Sequence, residues 1–407
     1  MFNKLKNNVL LLIIVFCTIE TAHSQLTSSP YSIFGMGTQA GNCAGTSSAL
    51  GGTGIAFLSG TTLNTVNPAS YGGLDSLQTL FDIGLFAKYT SYRTKSSNQA
   101  LFDANLKYFT MSFRSVPRVG TSFGIVPYSS VGYKINTTSN IEGSNSEFNK
   151  TFEGDGGVNK VYLGNSYELS NNLFLGVNAS FLFGSINRTE ASSDGLYSYK
   201  DKNTFSNFYL DYGLNYKIKG NKWDYSIGII YGNGKTLRTN SESSITTASS
   251  FEELKTQKKE FRIPRNLGVG LAVSEKSFRA GIDYEREYWS EINFNQSLMR
   301  TRNSTRYSLG LEYASFGNSR SNNNIIFYRF GAEYSESYLI IDQNPISYRS
   351  ISFGTGLPVG GMLNVINISF EIGQNGTKND GLIKENFYKL NIDISLKDLW
   401  FMKRLFL

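Results

Sequence analysis

The sequence predicts an all-β protein: a transmembrane antiparallel β-barrel of about fourteen strands with an N-terminal plug, or hatch, in its lumen. Three observations carry that prediction. Apolar and polar residues alternate with period two from residue 77 onward, as in strands between two different environments. Tight turns and longer polar links alternate between those strands. Residues 25–74 contain no Lys, Arg, Asp or Glu, although such residues make up 17% of the chain.

The chain begins with targeting information. Lys4 and Lys6 precede an apolar run at residues 9–19, and Ala22-His23-Ser24 places small residues where a signal peptidase reads them. The run is too short to span a bilayer as a helix. Cys17 follows Phe16 rather than a small residue, which argues against lipidation. The expected organisation is a signal peptide at 1–24, a plug at 25–77 and a barrel at 78–407.

Removal of the leader takes away His23, the single histidine, and leaves Cys43 as the single cysteine. Ser-His-Asp and Cys-His catalysis, His-ligated metals, zinc-finger spacings and an internal disulfide are thereby excluded together. No enzyme activity, cofactor or metal is expected. The net charge of +7 is scattered rather than clustered, which argues against nucleic acid as a partner.

Residues 25–74 are rich in Gly, which permits tight irregular backbone, and in Ser, Thr and Asn, which satisfy buried polar groups locally. Lack of charge avoids the desolvation cost of ions in a confined space. Ile33, Phe34, Leu50, Ile55, Phe57, Leu58, Leu63 and Val66 make the segment too apolar for a flexible linker. A fourteen-stranded cylinder is too wide to fill with its own side chains, and this segment is the candidate occupant. Gly84, Gly176, Gly184, Gly213, Gly268, Gly270 and Gly281 on the strands are expected to make room for it.

The predicted strands are 78–89, 105–116, 119–135, 151–169, 172–189, 203–219, 221–238, 258–274, 277–294, 300–315, 323–337, 346–358, 361–375 and 385–397. Alternation is plainest in the last, where Leu390, Ile392, Ile394 and Leu396 interleave with Lys389, Asn391, Asp393 and Ser395. Tyr225, Ile227, Ile229 and Tyr231 place aromatics at both ends of an apolar face, like the interfacial girdles of a membrane barrel. A soluble β-sandwich would also alternate, but these girdles, and the Gly and charges on the opposite faces, favour the barrel. Residues 116–118, 170–171, 220–221, 275–276 and 358–360 read as tight turns, and 136–150, 190–202 and 240–253 as long polar loops. The link at 315–324 is longer than its place in the alternation requires.

Other motifs carry little chemistry. In "GIIYGNGKT", residues 228–236, the spacing is one residue too long for a phosphate-binding loop, and a turn at the outer end of a strand is expected instead. Gly35-Met36-Gly37 lacks the third Gly of a dinucleotide fingerprint. Asp283, Glu285 and Glu287 share one strand face with Arg279 and read as lumen charges, without the nucleophile–base constellation of a catalytic site. "EELKTQKKEFR", residues 252–262, reads as a solvated loop and strand extension.

"ALGGTGIA" at residues 49–56, followed by Asn67-Pro68-Ala69 and then a fourteen-strand layout, resembles the FadL/TodX outer-membrane transport family. "SSPYSIFGMG" at 28–37 and the tail from Glu385 look like its version in Bacteroidota. The resemblance implies an N-terminal hatch, passage of hydrophobic molecules, location in the bacterial outer membrane, and a kinked third strand that opens the wall sideways to lipid. Gly124 and Pro127 sit on that strand, and Pro cannot donate to a ladder. The expected substrate path therefore involves Asn67, Pro68, Ala69, Gly124 and Pro127, with Arg279, Asp283 and Glu285 as lumen charges.

Two functions follow as expectations. One is a passive conduit for small hydrophobic molecules with a lateral exit. The other is a non-catalytic barrel subunit or scaffold of an outer-membrane assembly or secretion complex. The partners are outer-membrane lipid and either a hydrophobic small molecule or a partner outer-membrane protein or lipoprotein.

Overall fold

The computed structural model describes residues 29–41, 44–60, 62–95, 97–140, 147–192, 194–292, 299–316, 325–359 and 364–400. The expected signal peptide, the link at 317–324 and the last seven residues lie outside them. Fourteen antiparallel strands close into a barrel: β1 (Gln78–Arg93), β2 (Asn98–Val116), β3 (Val119–Asn140), β4 (Glu147–Ser170), β5 (Leu173–Ser192), β6 (Tyr197–Ile218) and β7 (Asp224–Thr247) are followed by β8 (Phe251–Ser274), β9 (Phe278–Glu287), β10 (Ser304–Phe316), β11 (Ile325–Ile341), β12 (Asn344–Val359), β13 (Asn364–Asn375) and β14 (Lys384–Leu399). Each strand pairs with its neighbours in sequence, and β14 closes on β1 from Lys384↔Arg93 to Leu399↔Gln78. Two short segments, Thr38–Gln39 and Met299–Thr301, pair onto the inner face or rim.

The outer face carries an apolar belt because alternation leaves every second side chain pointing away from the bore. On β7 the belt runs from Tyr225 to Tyr231, on β10 from Tyr307 to Tyr313 and on β11 from Tyr328 to Tyr334, and each of these six tyrosines is more than a third exposed. Tyr307 lies opposite both Tyr284 and Tyr334, and Tyr313 opposite Tyr328, so the girdles are continuous cross-strand rows. Aromatic rings at both ends of an aliphatic band are what a lipid bilayer selects. The long predicted strands thus cross a membrane, with the short turns and both ends of the barrel chain on its periplasmic side. No helix of the described residues is long and apolar enough to cross a membrane.

Strands β3 to β8 rise well beyond this belt. On β7, residues 232–247 stand above Tyr231 and remain in strand; at ~3.3 Å per residue and a tilt of about 40° this makes roughly 40 Å of wall. The polar stretches 136–150, 190–202 and 240–253 are therefore mostly strand rather than loop, and the extracellular links are only their tips. Residues 228–236 likewise lie within β7, not in a terminal turn, with Gly234 at φ +41° marking an irregularity. Strand β8 begins at Phe251, so residues 252–262 are strand throughout. Ladder hydrogen bonds, with an inward face of scattered apolar residues such as Leu237 and Phe261, let these mostly polar segments extend as strand, which composition alone does not reveal. The ninth strand instead stops at Glu287, where a 3-10 turn, Trp289–Glu291, begins.

The inward side chains of this raised panel form the largest apolar cluster. It includes Val131, Tyr133, Val158, Leu182, Ile186, Phe205, Leu237, Phe261 and Ile263, with Met36 of the N-terminal segment packed among them.

Candidate functional site

The bore is where sequence and fold converge. The described residues between 29 and 74 lie against the inward faces of the strands, beginning high and leaving at the periplasmic end. At the top, the Ser29 amide donates to Gly132 O at 2.8 Å and its hydroxyl to Glu385 Oε1 at 2.6 Å. Tyr31 donates to Ile383 O at 2.6 Å and packs with Trp289, Tyr338, Ile346 and Leu382. Burial, and then the Glu385 carboxylate, push its hydroxyl pKa up to about 12.

Midway down, backbone amides and strand side chains meet directly. Asp283 Oδ2 accepts from Gly54 N at 2.7 Å and Ile55 N at 2.9 Å. Tyr108 OH accepts from Gly45 N at 2.6 Å while donating to Asp393 at 2.7 Å. Ser352 binds both Ala49 O and Gly51 N at 3.1 Å. Lower, Arg114 donates to Gly72 O and Leu74 O at 3.2 and 3.1 Å and pairs with Glu168 at 2.7 Å.

These contacts demand strands without side chains. A Cβ on Gly213 would stand 2.0 Å from Asn67 Oδ1, one on Gly228 2.0 Å from Ile55 O, and one on Gly331 2.0 Å from Gly51 N. Of the glycines expected to make room, Gly176, Gly213, Gly268, Gly270 and Gly281 face the segment. Gly84 and Gly184 do not. Gly84 lies under the Tyr108 ring, and Gly184, at φ +146°, abuts Gly157 on β4. A polar cavity of about 60 Å³ remains between Thr46, Thr53, Asn64, Arg279 and Glu312.

The predicted path residues fall in two places. Asn67 caps the 3-10 turn Pro68–Gly73 by accepting from Ala69 N at 2.9 Å, and donates to Ile55 O at 2.7 Å and Leu214 O at 3.1 Å. Pro68 and Ala69 press on Gly176, and Ser166 donates to Ala69 O at 3.0 Å. Gly124 and Pro127 lie on β3, at the point where the wall changes. Pairing of β2 with β3 runs from Val116↔Val119 to Phe109↔Ile125 and continues no further among the described residues. Next to it, a register shift falls between Pro127 and Ser129 on the β4 side. Above Ile125, the edge of β3 is met by the N-terminal segment: Thr38 lies opposite Ser130 and Gln39 opposite Ser129, and Ala40 N donates to Tyr128 O at 3.0 Å.

The three lumen charges have separate partners. Arg279 pairs with Glu312 at 2.9 Å and stacks over Phe57 at 4.4 Å, while Glu285 accepts from Arg306 at 2.8 Å. Asp283 binds the segment backbone. Sequence reasoning missed Lys107 and Tyr108, which both point inward because of a bulge at Gly84/Leu85 opposite them. It also missed Arg114, which carries no distinguishing motif.

Known structures share this architecture. The toluene transporter TbuX of Ralstonia pickettii superposes with a TM-score of 0.58 at 17% identity, over 87% of this chain and 98% of that one. The toluene transporter TodX of Pseudomonas putida gives 0.59 at 15%, over 90% and 100%. A FadL homologue of Pseudomonas aeruginosa gives 0.61 at 10%, over 89% and 99%. The fold is therefore that of FadL-like outer-membrane barrels. No curated protein sequence matches the chain. The family model described as BamG matches residues 1–406, and with nearly the whole sequence inside that match, this outer-membrane barrel belongs to the BamG family.

Proposed function

We propose that the protein is a non-catalytic barrel subunit of an outer-membrane protein complex, with residues 25–77 acting as a fixed plug. The observation that carries this reading is the pairing of a filled bore with a tall extracellular panel. Strand glycines where an added Cβ would stand about 2 Å from the segment, Gly213, Gly228 and Gly331 among them, support a closely seated plug. Strands β3 to β8 meanwhile raise polar outer faces far above the lipid, more wall than a pore for small molecules requires. Among the described residues no strand pairs with the edge of β8 above Asn266, or with that of β3 above Gly132, whose own backbone is bonded by Ser29 and Ser32. Unpaired edges are surfaces on which another chain adds strands. Purification in mild detergent tests the proposal: a stoichiometric outer-membrane protein or lipoprotein is expected to co-elute, and a plain monomer at every stage rejects it.

A second reading, a conduit for small hydrophobic molecules, is favoured by one observation. The β2–β3 seam ends at Ile125 beside Pro127, where the family resemblance expects a sideways exit. The toluene transporters named above share the fold. In this reading the 38–40 segment is the gate, and uptake of a labelled hydrocarbon falls when the protein is deleted while the isolated protein remains a monomer.

A further inference from the structure

Lys160 sits in the bore as a buried charge without a partner. It lies on β4 between Val126 on β3 and Leu182 on β5, and is only 8% exposed. Among the described residues no hydrogen bond or ion pair reaches its ammonium. Taking an ion out of water is costly unless it is paired and hydrogen-bonded. Diagonally across the ladder, Ser180 is fully buried and its Oγ has no partner either. Two donors thus face one space with nothing to receive them.

Acceptors gather a short way round the wall. Asp211, Gly232 and Asn266 form one straight row on β6, β7 and β8. The missing side chain at Gly232 leaves room there: Asn266 Oδ1 and Tyr209 OH stand 2.0 and 2.3 Å from where its Cβ would lie. Asn266 Oδ1 is buried without a hydrogen-bond partner. The Asp211 carboxylate accepts from Tyr209 and lies within electrostatic reach of Lys160, although the two form no ion pair. Tyr71 of the N-terminal segment, bonded to Asn178 on the row below Ser180, closes the space beneath. Val158, the next inward residue above Lys160, belongs to the large apolar cluster that closes it overhead.

We infer that this pocket takes a small zwitterion of the amino-acid kind, its carboxylate on Lys160 and Ser180 and its ammonium between Asp211 and Asn266 Oδ1. Lys160 and Asp211 stand apart yet act on each other, and their charges cancel. A simple ion would be attracted by one and repelled by the other, whereas a zwitterion gives each a charge-assisted hydrogen bond. The site rests on neither function proposed above.

The test uses the full-length protein in detergent and saturation-transfer NMR with three probes: leucine, isocaproate, which lacks the amine, and isoamylamine, which lacks the carboxylate. Leucine is expected to bind saturably and about tenfold more tightly than either analogue, the scale of losing one charge-assisted hydrogen bond. Lys160→Met should weaken leucine and turn the preference to the amine, and Asp211→Asn should turn it to the carboxylate. A general packing defect does not produce that inversion. Retention of heat-modifiable gel mobility confirms that each variant is folded. No saturable leucine binding, equal binding of the three probes, or an unchanged order of preference in either variant overturns the assignment and leaves bridging water as the occupant.

Discussion

Thr38 lies directly opposite Ser130 in antiparallel register, at the height where β2 has parted from β3. Among the described residues, the N-terminal segment thus supplies ladder partners on β3 where the neighbouring strand β2 does not.

Ala40→Pro removes the amide that donates to Tyr128 O at 3.0 Å. Proline cannot donate to a ladder, so the segment should peel from β3 while the other strands stay closed. The expected result is a rise in single-channel current in planar bilayers, or in entry of a hydrophobic dye into whole cells. Wild-type impermeability would show that the seam is sealed by something else.

Asp283→Ala removes the acceptor of two buried backbone amides. Hydrogen bonds to a charged group contribute about 1.5–3 kcal/mol each, and the amides left behind remain buried. Loss of roughly 3 kcal/mol or more is expected, read as a lower urea midpoint for loss of the folded band in semi-native gels. Protease cleavage of the N-terminal segment should increase in parallel.

Gly331→Ala drives a methyl into the backbone at Gly51, 2.0 Å away. Overpacking of this kind costs about 1–3 kcal/mol. Gly60→Ala is the matched control, since nothing lies within 4 Å of its would-be Cβ. The first variant should expose the segment to protease and the second should behave as wild type.

Tyr31 provides a pH dependence at the extracellular end. Its folded-state pKa, raised by burial to about 12, lies above the ordinary value of 10.0. The protonated form is the one the fold favours, so its contribution is complete below pH 10 and is lost as pH rises towards 12. Emission from Trp289, in the same cluster, should change over that window in the wild type and lose that step in Tyr31→Phe.

Much of this molecule was readable from order along the chain. Alternation such as Leu390-Asn391-Ile392-Asp393 reports two environments whatever the neighbours are, and all fourteen strands followed from it. The absence of charge from residues 25–74 was equally plain in the sequence, and it is what a confined polar space would require.

What remained hidden depended on partners distant in sequence. Nothing near Asp283 indicates that its acceptor serves Gly54 and Ile55, and nothing near Lys107 shows that a bulge turns it and Tyr108 inward together. The extracellular panel was hidden for a related reason: its mostly polar strands are held by ladder hydrogen bonds to neighbouring strands, so their composition resembles loops. Sequence by itself determined the cylinder, its lipid-facing side and the uncharged N-terminal run, since these follow from local solvation. Only the tertiary structure decided where the N-terminal segment is fastened and where the β2–β3 seam ends, because register and closure bring together residues that the chain keeps far apart.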